Sequence, residues 1–195
     1  MSSSNAFVAA KLRRWEKYLD NYRLPDWESI PDFGLYMEQV TDLLKQYLDY
    51  LPPELKEEQF ITASTINNYV RTKVMPEPVR KRYYREHIAY LILICTLKQT
   101  LSIALIRRII PMGLDRDRVE EVYRGYARQH ALSARIFTDQ IRLAAAPILG
   151  HEDSDENAVE CAGDLITRAA ITGGFYRLLA EKLLLLEEKQ PEGEG

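Results

Sequence analysis

Nine cations lie between Ile61 and Arg108: Arg71, Lys73, Arg80, Lys81, Arg82, Arg85, Lys98, Arg107 and Arg108. Only Glu77 and Glu86 oppose them, so the segment carries +7 in a chain of net charge −3, and the rest carries −10. A basic module inside an acidic chain suits a local anionic partner; a solvated basic surface is the other reading. Other chemistry finds fewer residues. His87, His130 and His151 stand far apart and fit no metal spacing, so no metal site is expected. His87 falls near the start of a helical stretch, where it suits a capping role, and His130 reads as a packing residue. Cys95 and Cys161 lie in apolar helical patterns and build no disulfide framework, which points to a reduced, cytoplasmic protein. No Gly-x-Ser-x-Gly, phosphate-loop or paired-carboxylate motif occurs. No enzymatic activity, catalytic residue or cofactor is therefore expected. Gly173-Gly174 sits within helical periodicity and reads as close helix contact or a helix break.

The elements that must position the basic segment are helical. The 195 residues suit one domain or two small ones, and 46% apolar residues suffice for a core. The longest apolar run, Ile88 to Cys95, is too short to span a bilayer, so no membrane partner is expected. Met1 to Ala10 lacks the basic and apolar pattern of a secretory signal. Leu12, Trp15, Leu19 and Tyr22 mark one face of a helix from about Asn5 to Tyr22. Leu24 to Phe33 reads as a loop, and Leu35 to Leu51 as a helix ended by Pro52-Pro53. Thr62 caps a short helix from Ala63 to about Thr72, with Ile61 and Ile66 as a hydrophobic staple. Pro76 and Pro78 force an extended excursion, Met75 to Tyr83. Arg85 to Gln99 is helical and, being apolar on every side, buried. Ser102 caps Ile103 to Ile110. Two long helices follow, Asp115 to Ala146 and Asn157 to Glu188, joined by an acidic linker. The only strand pairing expected is a two-residue one flanking the proline excursion.

Two short helices, a basic proline-bounded excursion and a buried helix have the anatomy of a winged helix-turn-helix. The stretch Ile61-Thr62-Ala63-Ser64-Thr65-Ile66-Asn67-Asn68-Tyr69-Val70-Arg71 resembles the recognition helix of MerR-type transcription regulators. Val74-Met75-Pro76 is similar to that family's entry to the wing. Tyr83, Ile88, Leu91 and Ile94 fall in register with its next helix, and Ser102-Ile103-Ala104-Leu105-Ile106 with the one after. The resemblance covers Ile61 to Ile110. The whole chain also resembles a bacterial family of unknown function marked by an Ile-Asn-Asn-Tyr-Val segment before a short basic wing.

The resemblance implies an all-α fold with a winged helix-turn-helix core and a transcription regulator that binds double-stranded DNA. Helix 63–72 and wing 75–83 would make the contacts. A helix N-terminus offers free N–H groups and partial positive charge to phosphate. Thr62, Ser64 and Thr65 there can bond phosphate or base edges, and Asn67 and Asn68 can reach base edges. Tyr69, Arg71, Lys73, Arg80, Lys81, Arg82 and Tyr83 would complete the interface, with the cations on phosphate. For the tyrosines a core position is the competing expectation. The expected domains are residues 1–112 and a C-terminal helical hairpin, 113–190, followed by a disordered tail, 191–195. The hairpin would form a homodimer or hold a small-molecule effector. The rival function is a protein-interaction adaptor on the same scaffold without DNA binding, favoured by Asn67, the acidic connection at Glu54, Glu57 and Glu58, and a pI of 5.7.

Overall fold

The computed structural model describes residues 3–50, 61–152 and 156–187. The expected stop at Pro52-Pro53, the acids Glu54, Glu57 and Glu58, and the tail 191–195 lie outside the described residues. Among those described, the fold is all-helical: α1 (Ser3–Asn21), a 3-10 turn (Trp27–Ser29), α2 (Met37–Tyr47), α3 (Ala63–Arg71), α4 (Arg85–Leu97), α5 (Ile103–Ile109), α6 (Arg116–Ala144), α7 (Ala146–Leu149) and α8 (Ala162–Glu187). Extended pairing is limited to isolated bridges, Val79 with Arg82 and Leu35 with Tyr83. The first lies inside the proline excursion, after Pro78, rather than on its two flanks as expected. The second joins a segment nearly fifty residues away, which no local pattern announces.

The chain divides into two compact units, each discontinuous in sequence: Met1–Arg23 with Gln129–Ala180, and Leu24–Arg128 with Glu181–Gly195. The sequence had suggested a single division after residue 112. In the second unit α4 is the axis. Ile88 through Thr96 are all buried, as a helix without a polar face demands. Pairing α2 with both α3 and α4 covers it. Val40 and Leu44 on α2, Leu48 at its C-cap and Ile66 on α3 lose all contact with solvent. Each such side chain contributes about 1.5–3 kcal/mol of apolar burial. Tyr123 closes the other flank, donating its hydroxyl to the Pro25 carbonyl at 2.6 Å beside Trp27.

In the first unit Ala9 packs with Ala145, Ile148, Leu149, Val159 and Leu165. Arg142 bridges Glu16 and Asp20 of α1. Gly150, at φ +73°, ends α7 in the left-handed region open to glycine. Helix α8 starts later than expected and runs unbroken through Gly173-Gly174. Among the described residues neither glycine makes a close contact, since a Cβ at either would meet nothing within 4 Å.

Candidate nucleic-acid interface

Helix α3 and the loop to α4 carry the basic segment, and local chemistry sets both ends of α3. Thr62 caps it: its Oγ1 accepts from the Thr65 backbone N–H at 3.1 Å and lies 2.8 Å from the Thr65 hydroxyl. The two hydroxyls therefore satisfy each other at the helix start. At the other end the Val74 N–H donates to the Tyr69 carbonyl and the Lys73 N–H to the Val70 carbonyl, both at 3.0 Å. That pair of bonds is a Schellman cap, and both Val74 and Tyr69 are buried. Its left-handed position, where glycine is usual, holds Lys73 at φ +54°.

The excursion after α3 buries Val74 and Met75 and then turns back through a tight hairpin. Val79 and Arg82 exchange two backbone hydrogen bonds at 3.0 Å. The two residues between them, Arg80 and Lys81, both have positive φ, +50° and +63°. Two-residue hairpins favour such turns, but Asn-Gly or Asp-Gly normally supplies them. A side chain in the left-handed region costs about 1–2 kcal/mol. Lys73, Arg80 and Lys81 are the only described non-glycine residues with positive φ. All three are cationic and exposed. Among the described residues, no carboxylate forms an ion pair with any of them or with Arg71.

His87 ties this loop to α4. Its Nδ1 accepts from the Tyr84 backbone N–H at 3.1 Å. The proton therefore sits on Nε2, which donates to the Glu77 carbonyl at 2.9 Å. The ring caps α4, as its sequence position suggested, and fixes the loop that presents Arg80 and Lys81.

Several residues expected at the interface face elsewhere. Tyr69 and Tyr83 are 1% and 3% exposed, so neither ring reaches a polyanion; they are core residues of α3 and the bridge. Burial raises the pKa of both hydroxyls, and the Tyr69 hydroxyl has no hydrogen-bond partner among the described residues. Arg82 folds back on the second bridge. It donates to the Gly34 carbonyl at 3.0 Å and the Tyr36 hydroxyl at 2.6 Å, with its guanidinium 4.1 Å from the Tyr36 ring centroid. Gly34 makes room for it, because a Cβ there would lie 2.7 Å from the arginine Cδ. Arg85 likewise turns inward and donates to the Ile30 carbonyl at 2.7 Å. Asn68 is half-buried and accepts from Arg71 at 2.7 Å. The outward set is therefore Ser64, Asn67, Arg71, Lys73, Arg80 and Lys81, with Thr62, Thr65 and Asn68 partly accessible. Gly34 and Tyr36, which seat Arg82, carry no signal of that role in the sequence, because their partner lies 46–48 residues away.

Burial pushes the Cys95 thiol up to about 12, so it stays protonated and unreactive at neutral pH. Among the described residues no cluster of three histidine, cysteine or carboxylate side chains could hold a metal. No helix among them is long and apolar enough to cross a membrane.

The family model described as "Domain of unknown function (DUF1836)" matches residues 25–127, more than half of the chain. No curated protein and no solved structure matches the chain.

Proposed function

Because this chain belongs to the DUF1836 family, a domain of unknown function, we propose its activity from the site itself: it binds duplex DNA as a winged helix-turn-helix regulator of MerR-like type. One observation carries the reading. The three strained left-handed positions of the described chain are all exposed cations, flanking α3 and tipping the hairpin. Glycine or asparagine would fit each backbone better, so each charge stands at a cost in local stability. The side chains beside them suit the same partner: Ser64 and Asn67 stand outward on α3, and Arg71 lies on its last turn. Cations position the protein on phosphate, and the amide reads base edges.

Binding of random duplex DNA across salt concentrations tests this. Four outward cations, Arg71, Lys73, Arg80 and Lys81, would give a log–log slope of about −3.6 at −0.9 per phosphate contact. No binding at low salt refutes the reading. The inward turn of Arg82 and Arg85 favours the second reading, a protein-interaction adaptor, because it removes two cations from the face. A fold that ignores DNA yet retains the strained hairpin would support the adaptor.

A further inference from the structure

Helix α8 is apolar in composition, yet the single chain leaves it bare. A helix apolar on every side belongs in an interior. Every residue from Ala169 to Leu179 is exposed. Ile166, Ile171, Phe175, Tyr176, Leu178 and Leu179 are each 54–69% exposed. Across a groove of about 440 Å³, α6 adds Phe137 and Leu143, and the same helix exposes Ile136 outside the groove; the three are 39–48% exposed. Soluble chains avoid apolar patches of this extent unless something covers them.

The occupant is constrained by shape. A small molecule could fill the groove but would leave the other faces of α8 wet. A helix lying on a membrane surface needs a polar face, and α8 exposes apolar residues all round. Nine half-exposed side chains at on the order of 100 Å² each give roughly 900 Å², against about 800 Å² per partner in a stable interface. The glycines point to the partner's identity. Gly173 and Gly174 sit near the midpoint of the 26-residue helix. Glycine weakens a helix interior relative to alanine, and nothing in the packing of the described residues requires either one. A second backbone approaching closely there does require them. Identical helices related by a two-fold axis overlap most when they cross at their midpoint.

We propose that a second copy of this chain docks on α8, the two α8 helices crossing antiparallel at Gly173-Gly174. The inference stands apart from the DNA reading and uses none of its residues.

Sedimentation velocity on the full chain, from about 1 to 100 µM, should give a species of twice the chain mass; the single-chain mass throughout overturns the proposal. Gly173→Leu with Gly174→Leu adds Cβ atoms that meet nothing within 4 Å in the described chain and improves helix propensity, yet should raise the dimer dissociation constant at least tenfold. An unchanged constant overturns the crossing site. Should that pair fail to fold, cross-linking decides. In a Cys161→Ser background, Gly174→Cys should form an intermolecular disulfide on oxidation. Gly163→Cys should not, because antiparallel copies hold these positions roughly 30 Å apart at 1.5 Å per residue. Cross-linking at Gly163, or none at Gly174, overturns the antiparallel geometry.

Discussion

Replacing Arg80 by Asn and Lys81 by Gly should raise stability and lower DNA affinity at the same time. Both residues sit at positive φ in a two-residue turn, where each side chain costs about 1–2 kcal/mol. Asn tolerates the left-handed region and Gly occupies it freely, although Gly returns part of the gain as unfolded-state entropy. The net expectation is about 1–2 kcal/mol of added stability, or roughly 2–8 °C in Tm at 2–4 °C per kcal/mol for a chain of this size. Loss of two phosphate contacts should flatten the log–log salt slope by about 1.8. Chemical denaturation supplies the first quantity, and fluorescence anisotropy on a random duplex between about 50 and 200 mM salt the second. The opposite signs are the point of the experiment: a variant that merely unfolds loses both. Tighter folding with unchanged binding and slope would show that the hairpin does not touch DNA. A loss of stability would show that the strain argument is wrong.

The other predictions test the scaffold. Tyr69→Phe removes a buried hydroxyl that has no partner among the described residues, so stability should hold or rise by about 1 kcal/mol with DNA binding unchanged; urea midpoints check it. His87→Ala removes the α4 cap and the tie to Glu77, and should cost about 2–3 kcal/mol, while His87→Gln should recover part of that by restoring the capping acceptor. At neutral pH a thiol reagent should label exposed Cys161 and spare Cys95; labelling of both in the folded protein would contradict the burial of α4. The Cys95 thiol rises on folding from near 9 to about 12, so its contribution is intact below pH 9. Above that the unfolded thiol ionises first, and stability should fall by up to about 1.4 kcal/mol per pH unit until pH 12.

The helices were legible because helix formation is local. The Thr62 cap, the stops at the prolines and glycines, and the buried character of Ile88 to Cys95 all act within a few residues, so α3, α4 and α5 fall within two residues of their expected ends. His87 as a cap was readable for the same reason. Charge could be counted from the sequence, but its direction could not. Arg82 and Arg85 turn inward because Gly34 and Ile30, far away in the chain, offer carbonyls at the right places. Tyr69 and Tyr83 are core residues because α3 and the bridge press them against other elements, and an amphipathic ring suits either side of a surface. The left-handed backbone at Lys73, Arg80 and Lys81 was invisible, since no glycine or asparagine marks it; the Schellman cap and the bridge impose it. Local sequence thus determined which segments are helical. Contacts between distant segments decided which cations face solvent, because a side chain's direction depends on neighbours its own segment does not contain.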